Sequence, residues 1–235
     1  MDEFRGASRA LLVSTNERPG RRALQHKRAV LAIERAGVKH IVYTSMLDPV
    51  GSPVVTEEHI AASTMDATIL RDSIYAETLM TTLTQAVAIG QIVDARNDAA
   101  VSYVTRDDCA RVAAVVLASG RTRSRILDVT GPEAVTSNEL AALASEITAR
   151  HTAYVSVDIE TLVRRLMERD ASFSLAVLQA SYDVAASRGD FATVSDSVSS
   201  VGHRVPTTVR QFLAMHRAAL LREPSRFAVQ ASNFG

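Results

Sequence analysis

Three short apolar runs, each ending in hydroxyl or charged residues, limit most strongly what this chain can fold into. They are Arg9-Ala10-Leu11-Leu12-Val13-Ser14-Thr15, His40-Ile41-Val42-Tyr43-Thr44-Ser45, and Ala67-Thr68-Ile69-Leu70 leading into Arg71-Asp72-Ser73. Runs this short and this apolar read as buried strands. Between the first two, after the turn-rich Asn16-Glu17-Arg18-Pro19-Gly20, the residues Leu24, Ala29, Val30, Ile33 and Ala36 approximate a helical stripe, and Gly37 stands where a helix end favours glycine. Strand, helix and strand in that order form a βαβ unit, which predicts a parallel sheet.

The alternation continues through a short helical segment near 56–63, helices near 76–88 and 106–119, a short strand around 101–104 and a strand at 125–129. Thr136 or Ser137 then caps a helix that runs to Arg150, with Glu139 compensating unpaired amides at its start. Beyond His151 the pattern changes. An edge strand at 154–157 and helices at 160–168, 173–186 and 206–221 predict a small, mainly helical subdomain. The segment 189–201, rich in Ser, Asp and Gly, and the end after Pro224 are expected to be comparatively mobile.

A chain of 235 residues suits one large α/β domain, or one with a small attachment. Twenty-six basic and 26 acidic residues leave no global attraction toward nucleic acid or an anionic membrane, so neither is an expected partner. A single cysteine, Cys109, excludes an internal disulfide, the six histidines show no zinc-like spacing and no metal is expected. The charged start and the short apolar stretches point to a cytoplasmic protein without a membrane anchor.

In an open parallel sheet ligands sit beyond the carboxyl ends of the strands, which brings Ser14, Thr15, Tyr43, Thr44, Ser45, Arg71, Asp72 and Ser73 toward one crevice. Hydroxyls and a guanidinium hydrogen-bond ribose, phosphate or carboxamide, and Tyr43 and Tyr75 offer flat apolar surface to an aromatic ring. The plainer reading is strand termination by small polar residues. Cys109 shares a helical face with Val112, Ala113 and Val116 and reads as a buried structural thiol. Asp107 and Asp108 occupy a helix's first turn, where carboxylates favour the positive dipole end. Arg121, Arg123 and Arg125 read as a solvated turn, with phosphate binding as the alternative.

The combination of Leu11-Leu12-Val13-Ser14-Thr15, Gln25-His26, Ala36 through Ser45, Glu58-His59-Ile60, Ile69-Leu70-Arg71, Tyr75-Ala76-Glu77, Tyr103 through Ala110, Asp128-Val129-Thr130-Gly131 and Gly202 through Thr208 resembles the NmrA-like atypical short-chain dehydrogenases/reductases, in particular the bacterial NAD(P)H:quinone oxidoreductases. The resemblance implies a Rossmann-like domain with a small C-terminal subdomain, NADPH or NADH as cofactor, and hydride transfer to a quinone-like acceptor. It divides the chain into an N-terminally incomplete dinucleotide-binding domain at 1–150 with interleaved subdomain elements, a small helical subdomain at 151–221 and a flexible tail at 222–235. By family position Ser14, Thr15, Tyr43, Thr44, Ser45, Arg71 and Ser73 meet the cofactor, while Met46 and Tyr75 border the acceptor. His59 is a candidate proton donor in the adjoining loop, a solvated or capping role being the alternative.

The sequence also departs from the family pattern. It contains no G-x-G-x-x-G, and the resemblance sets Met1 just before a strand internal in the family, which implies that about two βα units, roughly 60 residues, are absent. The Tyr-x-x-x-Lys pair is missing as well, since Leu47 follows Tyr43 at that spacing, and Ile60-Ala61-Ala62-Ser63-Thr64-Met65 contains no Lys. A quinone reductase tolerates that loss, because solvent can protonate the product. An NmrA-like dinucleotide sensor without turnover and an inactive shortened homologue remain alternatives. An exposed apolar sheet edge is expected to drive self-association into a homo-oligomer.

Overall fold

The structure, a computed structural model, describes residues 4, 6–15, 19–47, 52–120, 124–168 and 171–222. In chain order its elements are β1 (Arg9–Leu12), α1 (Pro19–Arg35), β2 (His40–Met46), α2 (Ser52–Ala61), β3 (Asp66–Asp72), α3 (Thr78–Ile89), β4 (Gln91–Asp94), α4 (Arg106–Ala118), β5 (Arg125–Val129), α5 (Ser137–Thr148), β6 (Ala153–Ser156), α6 (Ile159–Met167), α7 (Phe173–Ser187), α8 (Ser197–Ser200), α9 (Val209–Met215) and α10 (Arg217–Leu220). They fall into two compact units, one of residues 1–73, 107–130 and 195–206, the other of 74–106, 131–194 and 207–235. Neither unit is a continuous segment. The expected division near residue 150 therefore differs from the observed one, in which α3, β4 and α5 belong with the later helices.

The first unit carries a four-stranded sheet of order β1-β2-β3-β5, with every pairing parallel. From His40 to Ser45 the residues of β2 are buried, as expected for a strand covered on both faces. Tyr43 and Ile41 of β2 and Ile69 of β3 pack with Val30 and Ile33 of α1 and Ile60 of α2 in one apolar core. Helix α1 starts on Pro19, a residue suited to a first helical position, and chain reversal follows at Gly37, whose φ of 81° is strained for any residue with a side chain. In α4, Cys109, Val112, Ala113 and Val116 are buried together, as their spacing predicts, and Asp107 and Asp108 lie in the first turn.

The second unit holds the parallel pair β4-β6 among helices. Helix α5 has the reciprocal cap foreseen at its start: the Thr136 side chain accepts from the Glu139 N–H, and Glu139 accepts from the Thr136 N–H. A buried ionic cluster lies beside β4. Arg96 donates from Nε to Asp183 (2.7 Å) and from Nη1 to the Tyr103 hydroxyl (2.5 Å), while the Tyr154 hydroxyl and that of Ser137 both donate to Asp94. Burial opposes the charge on Arg96, but Tyr103, Asp183 and Asp94 outweigh it and hold its pKa above the ordinary arginine value.

Several sequence expectations need correction. Residues 101–104 form isolated bridges, Val101 with Val135 and Tyr75 with Val104, instead of a strand. The last helix is broken in two at His216, whose ring nitrogen Nδ1 lies 2.8 Å from the Phe212 carbonyl. The segment 189–201 is tied down: Ser195 donates its N–H to Thr130 Oγ1 (2.8 Å) and its hydroxyl to the Asp128 carbonyl (2.6 Å), and Val198 is buried. At the sheet edge, Leu11 and Val13 are exposed at 39% and 59%. The expected tail and two of the basic cluster's arginines, Arg121 and Arg123, lie outside the described residues. Among the described residues, no helix is long and apolar enough to cross a membrane, and no cluster of His, Cys, Asp or Glu could hold a metal ion.

Candidate functional site

The pairing register sets the rows in which strand-end side chains stand. Ser45 is level with Arg71, and Arg71 with Asp128, so these three share one face of the sheet. Tyr43 and Ile69, two residues earlier, lie on that same face, in the core shared with α1 and α2. Thr44 and Leu70 form the next row, on the opposite face.

Glu57 of α2 organises the first face. Its Oε1 accepts from the Ser45 hydroxyl (2.6 Å) and from Arg71 Nε (3.2 Å), and its Oε2 accepts from Arg71 Nη2 (2.7 Å). The planar guanidinium meets the carboxylate as a two-point fork, so its charge is matched locally. In α2, Pro53, Thr56 and Ile60 are buried, which sets Glu57 on the flank near β2 and β3. His59 is in the last turn of this helix and not in a loop. Residues two apart on a helix project about 160° from one another, so His59 stands on the flank away from Glu57.

The exit of β1 is held by a second network. The Ser14 N–H donates to Thr44 Oγ1 (3.0 Å), the Thr15 N–H donates to His26 Nε2 (3.1 Å), and the Thr15 hydroxyl donates to Gln25 Oε1 (3.1 Å). Because Nε2 of His26 accepts, its proton is on Nδ1, which lies 2.9 Å from Thr56 Oγ1 and donates to it. Burial, reinforced by Arg22, lowers the His26 pKa and favours this neutral form. Tyr43 has no exposed surface, and its ring meets His26 edge-on at 5.7 Å. It is a core residue, so the flat ligand-facing surface expected of it is absent here. Its hydroxyl lies beside the side chains of Thr56 and Ser14 without a hydrogen bond of ordinary geometry, and burial pushes its pKa up.

Ser73 is buried, and its N–H donates to the Val129 carbonyl (2.9 Å). Met46, half-buried, closes β2. The structure thus gathers Ser14, Thr44, Ser45, Arg71 and Ser73 at the carboxyl end of one sheet. In the second unit Tyr75 is half-buried and carries the Arg106 guanidinium over its ring, 5.2 Å from the centroid.

These groups suit one part of a nicotinamide dinucleotide better than another. Buried hydroxyls and strand-end backbone fit the uncharged ribose and carboxamide, whereas Arg71, matched by Glu57, has no surplus charge for the pyrophosphate. The sequence also has no G-x-G-x-x-G, so no residue is assigned to that half.

Glu57 and His26 were not identified from sequence as organisers of the site. For His26 a signal existed, since it precedes the buried Val30 and Ile33 by four and seven positions on the inward stripe of α1. For Glu57 the spacing from Thr56 and Ile60 indicated only a flank, and its partner is in another element.

No family profile matches the chain. It is 31% identical over 213 residues to quinone oxidoreductase 2 of Escherichia coli K12, spanning 87% of this chain and 73% of that protein. An NmrA-like family domain-containing oxidoreductase of Aspergillus flavus is 28% identical over 148 residues, spanning 57% of this chain and 47% of the relative. Among solved structures, the NADPH-dependent quinone oxidoreductase from Escherichia coli complexed with NADPH superposes with a TM-score of 0.85 and 28% identity, covering 93% of this chain and 78% of that one.

Proposed function

The chain belongs to the NmrA-like family of atypical short-chain dehydrogenases/reductases that includes quinone oxidoreductase 2 of Escherichia coli, and from that premise we propose that it is an NAD(P)H-dependent oxidoreductase acting on a quinone-like acceptor. The reading is carried by the likeness to the NADPH-complexed quinone oxidoreductase over 93% of this chain. When bound, the reduced nicotinamide supplies the hydride. Thr44, Ser45 and Ser73 contribute hydroxyls that orient the ribose and carboxamide, and Glu57 holds both Ser45 and Arg71 in place for that contact. Ser14 and Thr15 border the same end of the sheet, fixed through Thr44 and His26. Met46, at the end of β2, contacts the acceptor. Proton delivery falls to solvent, because His59 lies on the far flank of α2 from Glu57 and Tyr43 is sealed in the core.

The test is consumption of NADPH or NADH by the purified chain with menadione as acceptor, followed by nicotinamide absorbance. Quinone-dependent oxidation supports the proposal. Cofactor binding without oxidation would instead mark a dinucleotide sensor, and absence of both would mark a homologue without either role.

A further inference from the structure

We propose that the outer face of α6 and α7 is an interface between two copies of this chain, paired about a twofold axis level with residue 162. Such an interface involves the second unit alone and is independent of the reductase reading. An open apolar groove lies between the two helices. Ile159, Val163 and Met167 follow one another at four-residue spacing on α6, and Phe173 and Val177 do so on α7. Phe173, Met167 and Val177 are exposed at 63%, 46% and 43%, and Val184, seven positions after Val177, continues the exposed stripe. Apolar surface gathered in this way marks a site of association.

The helices have already used their inner sides. Leu162 of α6 is buried against Ala95 and against Ala180 of α7. Asp158 caps α6 by accepting from the Thr161 N–H (2.7 Å), and Ser172 caps α7 by accepting from the Leu175 N–H (3.3 Å). The groove is thus surface left over on a frame that is set before any partner arrives, which lowers the ordering cost of association.

Charge then indicates which partner fits. Beside the apolar row of α6 runs a second row, Glu160, Arg164 and Glu168, also four residues apart and exposed. Among the described residues none of these three joins an ion pair. Arg164 donates from Nη2 to Thr161 Oγ1 (3.4 Å), and Asp158, which feels its charge, is held by the N–H and the hydroxyl of Thr161 (2.7 and 3.0 Å). Such a row complements itself. Two copies of α6 laid antiparallel about an axis level with residue 162 set Glu160 of each against Arg164 of the other, while the apolar rows are covered. Two carboxylates among three rim charges disfavour an anionic lipid surface. With 26 basic and 26 acidic residues, no long-range repulsion keeps two copies apart. Because the face is confined to two helices, it stands at the low end of specific interfaces and predicts a reversible dimer.

Sedimentation velocity of the full chain between ~2 and ~200 µM reads this association. Wild type, Phe173→Ser, Glu160→Arg, Arg164→Glu and Leu11→Lys are compared, each first checked for fold by circular dichroism. We expect wild type to pass from monomer to dimer within that range, and Phe173→Ser, Glu160→Arg and Arg164→Glu each to weaken the dimer by about tenfold. An equimolar mixture of Glu160→Arg with Arg164→Glu should dimerise again, because every charge in one copy then faces its opposite in the other. Leu11→Lys should behave as wild type. A wild-type chain that stays monomeric throughout overturns the proposal. So does a dimer that both charge reversals leave intact, or a mixture that fails to recover, and loss of the dimer in Leu11→Lys alone would place the contact at the edge of β1 instead.

Discussion

Glu57 and Arg71 are joined at two points, Oε1 to Nε at 3.2 Å and Oε2 to Nη2 at 2.7 Å, and the same carboxylate receives the Ser45 hydroxyl. One acidic side chain thus couples α2 to the ends of two neighbouring strands. Removing it leaves a partly buried guanidinium without its counter-charge. Glu57→Ala should destabilise the protein by about 1–3 kcal/mol, and Glu57→Gln by less, because one acceptor oxygen survives. Urea denaturation followed by circular dichroism measures this, and an unchanged midpoint for Glu57→Ala would show that the fork contributes nothing.

A pH dependence follows from two buried histidines. Burial lowers the pKa of His26, with Arg22 adding to the effect, and burial likewise lowers that of His40, where Asp66 pulls the other way. A histidine whose folded pKa lies below the ordinary value of about 6.5 binds fewer protons than the unfolded chain does. Its stabilising effect is complete above that value and is lost as pH falls below it toward the folded pKa. We expect thermal stability to decline from pH 7.5 to 5.5 by more in wild type than in His26→Gln, as ~7.5 and ~5.5 bracket the ordinary histidine value.

At Gly131 the backbone leaves no room for a side chain. A β-carbon placed there would stand 1.9 Å from the Tyr103 carbonyl oxygen and 3.0 Å from its carbon, and both atoms are main chain. Gly131→Ala should cost about 3 kcal/mol or more, which for a chain of this size lowers Tm by roughly 6–12 °C. A Tm within a degree or so of wild type would mean that the turn yields easily.

The cluster beside β4 should behave as a unit. Arg96→Met leaves the Asp94 and Asp183 carboxylates buried without their shared cation, a change expected to cost about 3–5 kcal/mol. Adding Asp183→Asn should recover part of that loss, since one unpaired charge disappears. Strict additivity of the two substitutions would show that they are not coupled.

Much of the first unit's sheet was readable from the chain because its central strands, β2 and β3, are mostly buried and all four runs are short and apolar. Residues 125–129 matched β5 at both ends, and His40 through Ser45 fell within β2. The strand β4 was missed. Gln91-Ile92-Val93-Asp94 is too short to show a period, and it becomes a strand only by pairing with β6, which is far along the chain. The same reason hid the Arg96 cluster, whose members span residues 94 to 183. At the candidate site the hydroxyls at the strand ends were legible as types in a pattern, whereas Glu57 was not, because its significance comes from Arg71, 14 residues away and in another element. Tyr43 misled for a physical reason: an aromatic residue near a strand's end packs inward as readily as it faces a ligand.

The central claim is that this chain uses a reduced nicotinamide, and the most direct measurement is an equilibrium titration of the purified 235-residue protein with NADPH and with NADH, following the nicotinamide's own fluorescence. The chain has no tryptophan to interfere with the signal. We expect saturable binding at micromolar cofactor, weakened when Ser45 is replaced by Ala or Glu57 by Gln. A chain shown to be folded by circular dichroism that gives no saturable change with either nucleotide would contradict the claim.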